Sequence, residues 1–351
     1  MPTTTIPWGD GSGDNLYLTY PSASGNQSVS VTSDANTGAA RSKVVTFSAS
    51  GVSPVSLAIS QDAGAVEQYI VFDDPVCEQI CANAWGDGIG LKPSEAAAVT
   101  SIGTTFQNTA IVSFEEFAVY FTSVNSLPND AFSGCSSLES ITIASRVTTY
   151  GNNIFGGCTA LKSLVIEYTG TLALQNIMTG GNTPVIGDGT GTLRIAGSIG
   201  TSTRNNYNLR FDTIEIGGDF NPNMTQRCPF NANTLRTLKI GGNLTAVYMM
   251  TTANCDFIGV DGSITTSTNN TFGTANRDTI LHFGYSGGGV AIAFSRLASN
   301  LGNFNTYYSA IYVGDGSSQA HDEAVLADYL NDAGWSQVSS KLHTWWSYLN
   351  P

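Results

Sequence analysis

The chain has 351 residues, 41% of them hydrophobic but only 12% charged, with a formal net charge of −13 and a pI near 4.4. That length accommodates two or three cores, and that apolar content excludes a disordered chain. An acidic chain without a Lys/Arg patch repels phosphate backbones, which argues against a nucleic-acid partner, and no run of about 18 apolar residues is present to span a membrane.

Gly is abundant at 38 residues, and Thr, Ser and Asn fill most polar positions. A polar but weakly charged surface of this kind is common in β-rich extracellular and virion proteins. The stretch from Met1 to Trp8 has neither the basic nor the apolar region of a signal peptide. The sequence alone therefore predicts a protein that stays in a cytoplasm or leaves it inside a particle released by lysis; a trimmed secreted protein would look the same. Cys77, Cys81, Cys135, Cys158, Cys228 and Cys255 match no zinc spacing and read as reduced, mostly buried small hydrophobes.

Residues 1–64 read as β. Strands are predicted at 16–20, 27–33, 43–49 and 55–61, because Val29 and Val31, then Leu57 and Ile59, alternate with small polar residues. Ahead of them lies an arm, Pro7-Trp8-Gly9-Asp10-Gly11. Its continuation to Asp14 reads as a flexible Gly-rich segment or, less simply, as two carboxylates around a cation. The order of elements suggests a small β-sandwich. Val29-Ser30-Val31, Asn36, Arg41, the run Val44 to Phe47 and the closing Ala58-Ile59-Ser60-Gln61 resemble a BACON domain. That family is an immunoglobulin-like sandwich of gut Bacteroidales proteins and their phages, and Arg41 with the Ile59-x-Gln61 ending carries the likeness. The resemblance implies a sandwich fold and glycan or mucin binding, with no binding residue to carry over. The segment is short for the family, so a strand is missing or supplied by another chain.

Residues 65–108 change to helical signals. Asp74-Pro75 is an N-cap followed by Pro at the first helical position, after which Val76, Ile80 and Ala84 would share one face. Gly86 to Gly90 breaks that helix, and Pro93 or Ser94 opens a second. The loop invites an EF-hand reading, but Asp87 is its one acid, and calcium needs several oxygens. The segment reads as a cap on the N-terminal end of a solenoid.

Residues 109–310 repeat. Phe132, Gly134, Cys135, Leu138, Ser140 and Ile143 recur at an offset of 23 as Phe155, Gly157, Cys158, Leu161, Ser163 and Ile166. A period in the range of roughly 20–29 residues marks leucine-rich repeats, which bury their apolar face only by stacking. The pattern resembles the BspA-like leucine-rich repeat of bacterial surface antigens, and Ser113 to Phe117 with Phe121, Val124 and Leu127 reads as the preceding unit. Cys135 and Cys158 then sit one above the other and fill the bend. A looser series continues at Leu193 to Ile199, Ile214 to Phe220, Leu238 to Leu244 and Ile258 to Ile264, each with Gly marking the exit from a strand. Arg194, Glu215 and Lys239 point outward on these strands and form a column of alternating charge, either mutually paired and solvated or part of a binding surface.

Residues 311–351 close the array with a last strand at Ile311-Tyr312-Val313, a helix from about residue 321 to 331, Trp335, and a final helix from about 336 to 349. This ending resembles that of other BspA-like repeat proteins. Trp345, Trp346 and Tyr348 are either cap core or a docking and sugar-stacking surface.

His282, His321 and His343 sit in no catalytic or ligand spacing, and Gly287-Gly288-Gly289 lacks the Lys of a phosphate loop and reads as a turn. The expected fold is therefore mainly β: an N-terminal β-sandwich, a helical cap, a leucine-rich-repeat solenoid and a short C-terminal helical cap. The expected function is non-enzymatic, with no catalytic residue, cofactor or metal. A BACON-like module followed by BspA-like repeats looks like a fibre or capsid-decoration protein of crAss-like phages. Its partners would be other virion proteins and host glycan or mucin, in a homo-oligomer located on the virion. The alternative is a bacterial cell-surface adhesin. The candidate docking residues are Trp8, Arg194, Glu215, Lys239, Trp345, Trp346 and Tyr348.

Overall fold

The computed structural model describes residues 3–19, 29–49, 51–64, 67–178, 185–201, 208–221, 230, 233–245, 255–262, 264–265, 279–284, 308–331 and 335–351. The glycine run at 287–289, Cys228 and the start of the strand predicted at 27–33 lie outside the described residues. The chain divides into two compact units, Met1–Gln68 and Tyr69–Pro351.

In the first unit, β1 (Thr3–Pro7), β2 (Asn15–Thr19) and β3 (Ser30–Ser33) make one antiparallel sheet. β4 (Arg41–Ala49) and β5 (Val52–Gln61) make a second, two-stranded one. Leu16 and Leu18 from one sheet and Val45 from the other share a core that Ile6, Val31, Phe47 and Ile59 border. Where the sequence suggested a free arm, the chain pairs as β1, and Trp8 is only 6% exposed. Trp8 is therefore a core residue and not a docking one. Asp10 and Asp14 do hold a cation, which is the guanidinium of Arg41: its Nη1 lies 3.1 Å from Asp10 and 2.8 Å from Asp14. The Arg41 guanidinium also stacks over the Trp8 ring at 4.6 Å, and its Nε donates to Gln61 at 3.0 Å.

The second unit opens with α1 (Pro75–Trp85), capped by Asp74, whose side chain accepts from the Val76 amide. The buried face of α1 carries Cys77, Cys81 and Ala82, while Val76 is 42% exposed. The face predicted from Val76, Ile80 and Ala84 is thus rotated. The second oxygen of Asp74 accepts from the amides of Val112 and Ser113, a long-range tie that local periodicity cannot register. The Asp87 carboxylate is taken up by Tyr69 and by the amides of Ile89 and Gly90, so the loop is a closed turn rather than an open calcium loop. α2 (Pro93–Ala98) and α3 (Glu116–Tyr120) complete the lead-in.

A parallel ladder comes next. Ser140–Ile143, Ser163–Ile166, Thr192–Ile195, Thr213–Ile216, Thr237–Ile240, Phe257–Val260, Thr279–Phe283, Tyr308–Val313 and Leu342–Thr344 form one nine-stranded sheet. Each strand pairs in parallel with the next. The inward residues, from Ile141 and Ile143 to Ile311 and Val313, are fully or almost fully buried. Full burial of each such side chain contributes about 1.5–3 kcal/mol, which no single coil obtains alone. Phe106, Phe132 and Phe155 stack at 5.5 and 5.6 Å, one ring per coil. The Cys135 thiol donates to the Phe106 carbonyl at 2.8 Å and the Cys158 thiol to the Phe132 carbonyl at 3.1 Å. Because Ser113 bridges to Ser140, the unit ahead of residue 131 runs from Phe106 through Thr109 to Ser113, earlier than the Ser113 start read from sequence.

At the far end, Gln319–Asn331 is helical, and Tyr329 and Trp335 pack on Phe283. The final helix predicted from 336 does not form as one piece. Trp335–Lys341 is a 3-10 turn, Leu342–Thr344 joins the sheet as its last strand, and only Trp345–Leu349 is α-helical. Ile311-Tyr312-Val313 is thus the penultimate strand, because Leu342 drops into the core position next to Ile311.

Candidate binding surface

Outward residues of the ladder fall into columns, and one of them contains Arg194, Glu215 and Lys239. In register it runs Thr142, Val165, Arg194, Glu215, Lys239, Gly259, His282, Tyr312 and His343. Arg194, Glu215 and Lys239 are consecutive rungs, and Lys239 Nζ lies 2.9 Å from Glu215 Oε1. Both partners are substantially exposed, so the pair contributes roughly 0.2–1 kcal/mol and orders the surface more than it stabilises the fold.

Beyond Lys239 the column becomes aromatic. Gly259 carries no side chain because an added Cβ would lie 2.9 Å from the Phe257 ring. His282, though outward in register, is buried under Trp345, whose ring stacks on it at 3.9 Å. Trp345 stacks in turn on Tyr348 at 4.5 Å, and Tyr312 meets both rings edge-on. Trp345 therefore sits between two rings, and the sugar-stacking platform suggested for it does not exist: neither of its faces is open. Tyr348, at the end of the stack, is 45% exposed. Trp346 is half-buried, and its amide donates to Asp322 at 2.6 Å. Trp8 belongs to the other unit.

Burial pushes the pKa of His282 down, so the ring is neutral near pH 7. Its Nε2 lies 2.8 Å from the Gly314 carbonyl, which can only accept; that nitrogen carries the proton, and Nδ1 is left as an acceptor.

Next to the column the chain leaves several strands through a glycine turn. In ladder register the exit position reads Glu167, Ala196, Gly217, Gly241, Asp261, Gly284, Gly314, each amide donating to the strand before it. A Cβ at Gly217 would lie 2.4 Å from the Ala196 carbonyl, so close stacking explains the glycines. Further along the turns, Ser198 Oγ accepts from the Asp219 amide at 2.9 Å, and Asp219 Oδ1 accepts from the Asn243 amide at 2.7 Å. Between the bare turns and Trp345 lies a groove of about 600 Å³, lined among others by Asn243, Asp261, His282, Asp315 and Trp345. Sequence reading passed over His282, Asp261 and Asp315. A signal for Asp261 was present, since Val260-Asp261-Gly262 places an acid where Ile240-Gly241-Gly242 has a glycine.

Asp315, His321 and Asp322 bring one ligand atom each within 4.8 Å of the others, near enough to bridge a cation. The cap itself accounts for the cluster. Asp322, fully buried, accepts from the amides of Asp315, Gly316 and Trp346, and Asp315 lies 3.6 Å from His321.

Residues 97–178 match the family described as the BspA type leucine rich repeat region, in six copies. The chain contains a BspA-type leucine-rich-repeat region. The ladder built on those repeats continues past residue 178, where the looser φ-x-φ-x-Gly series takes over. No curated protein and no solved structure matches the chain significantly.

Proposed function

We propose that this chain is a non-enzymatic display protein whose repeats form a solenoid presenting an adhesive face. BspA-type repeats suggest a surface adhesin-like protein. The observation that carries the reading is the outward column of the sheet, which runs in register from Thr142 to His343, is covered by Trp345 at His282, and is flanked by the groove at its aromatic end. Two of the ionisable groups beside it are bound into structure: His282 is neutral and bonded to Gly314, and Asp322 anchors three amides. Groups so engaged position a surface rather than exchange protons with a substrate.

We place the protein on a phage virion, as a fibre or capsid-decoration subunit meeting host glycan, mucin or another virion protein in many weak copies. The pairing of the two modules supports this. Arg41 and Gln61, which carry the BACON-like likeness of the first unit, are in direct contact. A bacterial cell-surface adhesin is the second reading, favoured by the BspA type of the repeats. Antibody labelling of purified particles and of intact cells separates the two. Signal on particles supports the virion, signal on cells the adhesin, and release of reducing sugar from mucin by the purified chain would overturn the non-enzymatic reading of both.

A further inference from the structure

We propose that the groove beside Trp345 is a binding site for a neutral saccharide, with Asp261 and Asp315 accepting its hydroxyl hydrogens. The inference rests on the display reading and gives it a site and a ligand class.

Three observations lead there. First, Asp261 is the one side chain longer than a methyl in the run of strand exits from Ala196 to Gly314, where Gly241 precedes it and Gly284 comes after it. Its carboxylate leans over Gly284, where an added Cβ would lie 2.5 Å from Oδ1. It is exposed and meets no hydrogen-bond donor or ion-pair partner among the described residues. Glycines thus flank an acid that no described residue engages.

Second, Asp315 reaches the same groove from the turn Gly314-Asp315-Gly316, in which both glycines have positive φ, at +99° and +75°. The buried Asp322 holds the amides of Asp315 and Gly316, which fixes this turn from behind. The Asp315 carboxyl is kept below the usual range mainly by its bond from Ser317, so it is ionised and an acceptor. His282 adds a neutral ring with an acceptor nitrogen.

Third, among the described residues the lining contains two carboxylates and no Lys or Arg. A phosphate, sulfate or sialic acid is repelled by such a wall. A lone ammonium would satisfy the acids but leave most of about 600 Å³ filled with water. A pyranose ring offers several donors at spaced positions and an apolar edge for the Trp345 rim, and carboxylates accept sugar hydroxyls in charge-assisted bonds.

The experiment is ligand-observed NMR and calorimetry on the full chain. The probes are galactose, fucose, N-acetylgalactosamine and their neutral oligosaccharides, with sialylated and sulfated counterparts alongside, each with and without EDTA. The expected result is millimolar or tighter binding of at least one neutral probe, unaffected by EDTA. Asp261→Ala and Asp315→Ala should each weaken it at least tenfold at unchanged melting temperature, and Asp261→Asn, which keeps one acceptor, should weaken it less. Binding of calcium alone with EDTA-sensitive sugar binding, preference for the anionic probes, or sugar affinity unchanged in Asp261→Ala would each overturn the proposal. Should Asp315→Ala disturb the turn, Asp261→Ala decides alone. Mucin binding that persists in Asp261→Ala refutes the groove while leaving the display reading standing. A chain found on neither particles nor cells refutes the display reading.

Discussion

Asp74 joins segments that lie far apart in the sequence. One carboxylate oxygen caps α1 and the other takes the amides of Val112 and Ser113 at the start of the repeats. Asp74→Ala removes a cap and strands two amides, and should destabilise the second unit by about 3 kcal/mol, read as a lowered urea midpoint. The thiols argue in the same direction, from burial to inertness. Cys77, Cys81, Cys135, Cys158 and Cys255 are buried, and burial pushes the Cys135 and Cys158 thiols up, so the nucleophilic thiolate is scarce. Iodoacetamide on the native protein should leave all five unmodified by mass spectrometry, and labelling should appear only in denaturant. His282 supplies a pH dependence. Its pKa is lowered in the folded state, so the unfolded chain binds the proton first and stability is lost as pH falls. The cap should be fully stable above about pH 6.5 and weaken below it, by at most about 1.4 kcal/mol per pH unit. Calorimetric melts from pH 7.5 to 5 of the wild type and His282→Phe test this, since the variant should lose that part of the slope.

The strands show what a sequence can and cannot disclose. Ser140–Ile143 and Ser163–Ile166 were legible because alternation and period agree, and each inward Ile or Leu reports its own burial. Leu342–Thr344 was not, because three residues cannot display a period and the neighbouring Trp345 and Leu349 mimic a helical stripe. The face of α1 was misread for a related reason: Asp74, through contacts 38 and 39 residues away, sets which side turns inward. The charge column was legible as soon as the strands were aligned, whereas His282 was hidden because its burial comes from a residue that lies a whole helix further along the chain. The polar ladder of the turns belongs to this scale too. Asp219 links two rungs, receiving the Asn243 amide while its own amide goes to Ser198. Asp219→Ala should cost about 1 kcal/mol and lower the melting temperature by a few degrees. Asp219→Asn keeps an acceptor in place and should recover most of it.

At the scale of the whole molecule, the two units rest on unequal foundations. The second buries a continuous core from Ile70 to Leu342, while the first encloses four buried apolar residues among those described and gathers its remaining order around Arg41. That side chain, 6% exposed, binds Asp10, Ser12, Asp14 and Gln61 and lies against Trp8, so it ties the β1–β2 loop to both strands of the other sheet. Hydrogen bonds from Ser12, and next the one from Arg41, hold the Asp10 carboxyl at about 2. A depressed carboxyl stabilises the fold above its unfolded value near 3.8 and ceases to do so as pH falls through about 2, so acid should loosen the first unit across that window. Removing the guanidinium leaves two carboxylates facing each other with no cation and opens a gap over Trp8. Arg41→Ala should therefore unfold the first unit at a temperature where 69–351 remains intact. Calorimetry should resolve one early transition in the variant, with the late transition unmoved from wild type. Arg41→Lys should restore little of it, because an ammonium cannot reach both carboxylates and Gln61 from one planar fork. A single shared transition in the variant would mean that the two units melt as one, and the independence drawn from their separate cores would be wrong.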